Sequence, residues 1–212
     1  MLSLNTEIKL IAQGYGTIGA IDEAGRGPLA GPVVAACVMI DKDTIKRISN
    51  IKGLEDVKDS KKLSRKKRDS LYGIISENFR LGVGICDNGK IDQVNILEAT
   101  LLAMKEAFSS LNIKPDLLLI DGNKKIKNID IPQNTIIKGD AKVFSIAAAS
   151  IIAKVSRDRI MAELSETYPQ YGFSQHKGYG TKQHLECIKK FGPSPVHRNS
   201  FEPIKSLFLR KK

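Results

Sequence analysis

Residues 19–32 read Gly-Ala-Ile-Asp-Glu-Ala-Gly-Arg-Gly-Pro-Leu-Ala-Gly-Pro. An apolar run, Thr17 to Asp22, ends on two adjacent acids, Asp22 and Glu23. A glycine-rich turn holding one arginine follows at once, Gly25-Arg26-Gly27-Pro28. The next run, Val33 to Ile40, is dense in β-branched residues, which marks a buried strand. With only Glu23 to Pro32 between them, the two runs predict an antiparallel hairpin. The connecting loop is longer and richer in glycine than a hairpin needs, so it has work of its own. Acids at a strand end can hold a divalent cation. Glycines let a backbone come close to a ligand, and an arginine between them can pair with phosphate. The stretch predicts half of a metal-dependent site acting on a phosphodiester.

The remaining chain supplies the frame. Residues 1–15 suit a short helix. Ser64 is placed to cap a helix whose apolar residues, Leu71, Ile74, Ile75 and Phe79, recur at helical spacing. Its first turn carries Arg65, Lys66, Lys67 and Arg68 against the helix dipole, which hints at use, although a solvated basic face is the commoner outcome. Leu81 to Cys86 reads as a third strand. Asn95, with Glu98 three residues on, predicts a capping box for a helix that Pro115 ends. Leu117 to Ile120 is a strand ending at Asp121-Gly122, and Ile136-Ile137 a shorter one before Lys138-Gly139-Asp140. Ser145 to Leu164 is the longest helix, apolar almost all round from Ile146 to Ala153 and therefore buried. Thr181 caps a further helix through Phe191, stopped by Gly192-Pro193. Three strands followed by strands separated by helices predict an α/β fold, a mixed sheet with helices on its faces. We expect one domain over residues 1–212, with a helical C-terminal part from about residue 165.

At 212 residues with a net charge of +11, the chain can build a sizeable core and favours a polyanionic partner. The absence of Trp argues against base stacking as the main contact. Cys37, Cys86 and Cys187 are odd in number and form no CxxC, so neither a zinc site nor a disulfide framework is expected, and a reducing, cytoplasmic setting fits. No run has the length of a membrane span, and nothing demands more than a monomer.

Three predicted strands or strand ends finish in acid: Asp22-Glu23, Asp121 and Asp140. Four carboxylates without nearby histidine or cysteine favour a hard ion, Mg²⁺ or Mn²⁺, and two such ions can split a phosphodiester. Adjacent strand residues face opposite ways, so Asp22 and Glu23 can share a site only if the strand bends or ends between them. Read locally, Asp121 and Asp140 are equally good turn formers. Asp56, Asp59 and Asp158 have comparable local claims, with Asp158, between two arginines on a helix, better read as a salt-bridge partner.

Six segments then occur in one order: GAIDEAGRGPLAGPVV, DSKKLS, NILEATLLAM, LLIDG, KGDAK with SIAAASIIAKVSRDR, and HKGYGT. Together, from about Ile18 to Phe201, they resemble ribonuclease HII, the type 2 ribonuclease H. The resemblance implies the ribonuclease H-like fold, a five-stranded mixed sheet flanked by helices, with the C-terminal part closing over the substrate. It implies an endoribonuclease that hydrolyses the RNA strand of RNA–DNA hybrids and nicks 5′ of single ribonucleotides embedded in duplex DNA. It places the metal carboxylates at Asp22, Glu23, Asp121 and Asp140, selecting Asp140 over Asp158. Gly25, Arg26 and Gly27 fall where the family recognises the ribose 2′-hydroxyl, the group that separates RNA from DNA. Tyr179 falls where it packs on the following deoxyribose, and Lys61 and Lys62 resemble phosphate contacts. One departure is Asn199, where the family's HRRSF has arginine; it puts a surface or phosphate contact in doubt. His176 is expected to shape the tyrosine loop, and His184 and His197 to be surface or packing residues. Two rivals remain open on the residues alone: another metal nuclease of this fold acting on branched DNA, and a non-catalytic nucleic-acid-binding protein.

Overall fold

Thr17–Ala24 (β1) and Val33–Asp41 (β2) pair antiparallel from Thr17↔Asp41 to Ala24↔Val34 in the computed structural model, which describes residues 2–57, 60 and 63–209. β2 is buried at every position but its last, as a β-branched central strand should be. Arg80–Cys86 (β3) pairs antiparallel with β2. Leu117–Asp121 (β4) lies parallel to β1 on its other side, and Gln133–Ile136 (β5) parallel to β4. The sheet order is β3-β2-β1-β4-β5, a mixed five-stranded sheet as expected.

Each face of the sheet is covered by one long helix, for a reason visible in its side chains. Phe144–Thr167 (α6) is buried all round from Phe144 to Ala153 because its first half is sandwiched. One side meets Ala36, Val38 and Ile40 of β2, and the other meets Leu71, Ile75 and Phe79 of Arg65–Asn78 (α3) and the residue after it. The opposite face carries Ile96–Ser109 (α5), packed on Ile21, Ala35, Cys37 and Ile120. The approach of α5 to β3 depends on two glycines. A Cβ at Gly82 would lie 2.2 Å from the Ala107 carbonyl oxygen, and one at Gly84 2.1 Å from that of Ala103. Asn5–Ala12 (α1) closes the β4 side, with Leu10 among Ile18, Leu117 and Ile146. From α1, the buried Glu7 accepts hydrogen bonds from the Ser145 backbone N–H at 2.9 Å and its hydroxyl at 2.8 Å, capping α6 from outside the helix.

Several local expectations hold. Ser64 accepts from the Lys67 N–H, and Asn95 from those of Leu97 and Glu98. Thr181 accepts from the His184 N–H at the start of the helix Lys182–Phe191. The capping box is only half formed. Glu98 binds Lys127 at 3.0 Å, while the Asn95 N–H goes to the Ile91 carbonyl of Asn88–Val94 (α4). That helix, like Lys42–Ile48 (α2), is too short and weakly patterned to be predicted. Asp87 and Asp41 cap them, each accepting from an N–H at 2.7 Å. The basic first turn of α3 is partly structural. Arg68 turns back onto the Ser60 and Leu63 carbonyls, and Lys67 pairs with Asp56. Asp158 is an ion-pair partner as expected, but of Lys154 at 2.6 Å rather than of its flanking arginines. Among the described residues, no helix is long and apolar enough to cross a membrane.

Candidate active site

Two expectations about the acids need correction. β1 does not end at Asp22; it runs on through Glu23 and Ala24, still paired to β2. Alternation therefore starts the two acids on opposite faces of β1, yet at this end of the sheet the Glu23 carboxylate still lies close enough to Asp22 to raise its carboxyl. Asp22 shares a face with Ala20 and Ala24 toward α6, and Glu23 shares one with Ile21 toward α5. Nor does Asp140 end a strand. β5 stops at Ile136, and Asp140 sits in a 3-10 turn, Gly139–Ala141, entered through Lys138 in the left-handed region.

Asp22 and Asp121 are brought together by register. Ile21 pairs with Ile120 across parallel β1 and β4, so the next residue of each strand is an acid. The turn with Asp140 is tied to the same place, because the Gly139 N–H donates to Asp121 Oδ1 at 2.6 Å. Asp22 is only 4% exposed. Burial, then the neighbouring Glu23 and Asp121 carboxylates, push its carboxyl well above the usual range, while the Ser150 hydroxyl and the Glu23 N–H pull the other way. Glu23 is turned to Arg26, its Oε1 accepting from Nη1 at 3.2 Å. Among the described residues, no three His, Cys, Asp or Glu side chains converge closely enough to hold an ion as they stand. The chemistry of the set still fits one. Hard oxygen donors crowd a desolvated carboxyl, and a divalent cation would neutralise their repulsion.

Beside the acids lies a cavity of about 220 Å³ lined by Glu23, Gly25, Arg26, Gly27, Ser60, Ser150, Lys154 and Tyr179. It joins residues from the first loop, α6 and the C-terminal part. The Tyr179 ring faces Gly27: a Cβ built there would sit 3.8 Å from Tyr179 Cε1. The sequence-predicted Gly25, Arg26, Gly27 and Tyr179 thus meet at one cavity, although 152 positions separate Gly27 from Tyr179 in the chain. Lys61 and Lys62 lie outside the described residues. Ser60, their neighbour, reaches the cavity and exchanges a hydrogen bond with Ser150 at 2.9 Å.

Two buried arginines that the sequence reading did not single out shape the loop. From α6, Arg157 donates Nε to the Pro32 carbonyl at 2.8 Å and Nη2 to that of Ala30 at 3.1 Å. Its Nη1 reaches the Lys177 carbonyl at 3.0 Å. Arg198 donates Nη2 to Gly25 at 2.6 Å, Nη1 to Arg26 at 2.9 Å and Nε to Gly31 at 3.0 Å. Burial lowers both guanidinium pKa values, Arg157 to about 10 and Arg198 to about 9, and both stay charged at neutral pH. Arg198 is the first arginine of the family's HRRSF. The replaced position, Asn199, is exposed and gives its backbone N–H to Asp92, so the departure falls at the surface as expected. One signal could have found Arg157: Ser150, Lys154, Arg157 and Asp158 recur at helical spacing on one face of a helix that is otherwise apolar from Ile146 to Ala153.

Comparison with known proteins gives the family and the fold. The family model described as Ribonuclease HII matches residues 18–204. The chain is 54% identical to Ribonuclease HII of Geotalea daltonii, covering 91% of this chain and 86% of that protein. It is 55% identical to that of Clostridioides difficile, covering 89% and 71%. Among solved structures, it matches ribonuclease H2 from Pyrococcus horikoshii OT3 with TM-score 0.74 at 29% identity, covering 92% of this chain and 98% of that one. It also matches Bst-RNase HIII in complex with Mn²⁺, with TM-score 0.66 at 20% identity over 96% and 73% of the two chains, a likeness of fold.

Proposed function

The chain belongs to the ribonuclease HII family and is thereby a metal-dependent endoribonuclease acting on RNA–DNA hybrids, and we propose that it also nicks duplex DNA 5′ of single embedded ribonucleotides by a two-metal-ion mechanism. Asp22, Glu23, Asp121 and Asp140 would hold two ions, Mg²⁺ or Mn²⁺. When bound, these supply Lewis-acid activation of water and charge neutralisation at the phosphodiester, giving 3′-hydroxyl and 5′-phosphate ends. The chain's own residues choose the bond. Gly25, Arg26 and Gly27 present backbone and guanidinium to the ribose 2′-hydroxyl, and Tyr179 packs on the next, deoxy sugar. Lys154 and the Lys61-Lys62 pair meet the phosphates, and the helical part from about residue 165 to 212 closes over the substrate. In the cell we place this activity in the cytoplasm, carried by a monomer.

The observation that carries the reading is the shared cavity. The glycine loop and Tyr179 converge beside a buried Asp22 whose like-charged neighbours call for a cation. The test is a duplex bearing one ribonucleotide, incubated with Mg²⁺ or Mn²⁺. A single cut on the 5′ side is expected from the wild type and none from Asp22→Asn. The same ions should raise the melting temperature of wild type but not of Asp22→Asn, because only a state-selective ligand stabilises. A cut on the 3′ side, or an undiminished nick with Asp22→Asn, overturns the proposal. Arg26→Ala should lower preference for the ribonucleotide while leaving that thermal shift in place.

A further inference from the structure

Behind Tyr179 lies a chain of buried histidines that the hydrolytic chemistry does not use. His184 and His197 are fully buried and His176 is 8% exposed. Their protons can be placed from their partners. The Ser194 backbone N–H can only donate, and it points at His197 Nδ1 from 2.9 Å, with the Ser194 hydroxyl on the same nitrogen at 2.8 Å. His197 therefore accepts at Nδ1 and, being neutral, carries its proton on Nε2. That nitrogen stands 3.0 Å from His184 Nε2, which must accept. His184 then carries its proton on Nδ1 and donates it to the Tyr179 carbonyl at 2.9 Å. His176 obeys the same logic: it accepts from the Gly178 N–H at Nδ1 and donates from Nε2 to the Tyr171 carbonyl at 2.7 Å. The His176 and His184 rings stack at 4.3 Å.

The other end of this chain touches the glycine loop. His197 forms a β-bridge with Ala30, the Arg198 N–H donates to the Leu29 carbonyl at 2.8 Å, and the Leu29 N–H donates to Gly178 at 2.7 Å. One closed circuit thus links the loop after Arg26 to His197, His184, the Tyr179 carbonyl and back through Gly178. We propose that the His197–His184 pair positions Tyr179 against Gly27, fixing the gap in which a deoxyribose is preferred to a ribose. The pair consists of positioning residues acting through the Tyr179 backbone, and the proposal rests on the reading of Tyr179 as the junction-sensing residue.

His197→Asn keeps an acceptor for Ser194 and removes the link to His184. His184→Asn keeps an amide donor for the Tyr179 carbonyl and removes the link to His197, whereas His184→Phe removes both. The readout is the ratio of kcat/KM for nicking at a single-ribonucleotide junction to that within an uninterrupted RNA strand of a hybrid. Each variant is first checked for a cooperative thermal transition. The ratio should fall by about tenfold in His197→Asn and His184→Phe, the scale set by slight misplacement of a binding group, and by less in His184→Asn. A ratio unchanged in folded His197→Asn and His184→Phe, when Tyr179→Ala lowers it, overturns the positioning role. If Tyr179→Ala itself leaves the ratio unchanged, the junction reading fails instead. A second readout then decides positioning alone. The chain has no Trp, so Tyr179→Trp supplies a single reporter. Added to that reporter, His197→Asn should raise its quenching by acrylamide, and unchanged quenching rejects the chain as a support.

Discussion

Gly25 shows how one residue's missing side chain organises the loop. Its φ is +99°, a region that favours glycine, and a Cβ there would stand 2.1 Å from Arg157 Nε and 2.8 Å from the Pro32 carbonyl. Any side chain must displace the guanidinium that satisfies three loop carbonyls, leaving buried acceptors without a donor. Gly27 differs. Its φ is unremarkable and its Cβ would make an ordinary 3.8 Å contact with Tyr179. Gly25→Ala should therefore cost about 2–4 kcal/mol of stability, with activity falling alongside. Gly27→Ala should stay within about 0.5 kcal/mol of wild type yet narrow the cavity and weaken nicking at the ribonucleotide. Denaturant melts of the two variants beside nicking assays test the contrast. Equal stability losses would show that the loop does not depend on the arginine as argued.

At the scale of elements, α6 is held at its first turn by a residue 138 positions earlier, the carboxylate of Glu7. Its Oε1 takes both Ser145 donors, while its buried Oε2 has no hydrogen-bond partner among the described residues. Glu7→Ala leaves the Ser145 donors unpaired in the core and should cost about 2–3 kcal/mol, measured by urea unfolding. Glu7→Gln keeps the accepting oxygen and should cost clearly less. The comparison also bears on what a sequence can reveal. β1 and β2 were legible because period and β-branching are local, and the Ser64, Asn95 and Thr181 caps because a cap acts within three residues. The acids were legible as types, but not their facing, since the end of β1 is set by pairing with β2. The roles of Glu7 and Arg198 were not legible at all, and that of Arg157 only as a polar position on a helix face. Each depends on carbonyls or N–H groups more than a hundred residues away, and a charged residue in a helix or a tail looks like surface until its partners are known.

For the whole molecule, the histidine chain makes folding stability depend on acid. Burial first, and the neighbouring histidines as well, lower His184 and His197 from the ordinary 6.5 to about 4. The groups facing them are the Tyr179 carbonyl, the Ser194 N–H and hydroxyl, His176, and the Tyr171 and Phe173 rings, so a proton added to either meets no compensating charge there. Protonation would also break the circuit, since each acceptor nitrogen would become a donor facing a donor. The unfolded chain takes up these protons below pH 6.5, whereas the folded chain refuses them until about pH 4. The raised Asp22 carboxyl works the other way, holding in the folded state one proton that the unfolded chain gives up, but the two histidines outweigh it, so the unfolded state binds more protons in that window and stability falls as pH falls through it. Two such groups are worth on the order of 5 kcal/mol together, comparable to the whole stability of many domains. A net charge of +11 at neutral pH adds self-repulsion as the histidines ionise. Urea unfolding at pH 7.5, 6.5, 5.5 and 4.5 should show stability level above about 6.5 and falling steeply below it. His184→Phe should start lower and fall less, because one of the refused protons is gone. A wild-type stability that stays flat from pH 6.5 to 4.5 would mean that the imidazoles are not held neutral as their partners require.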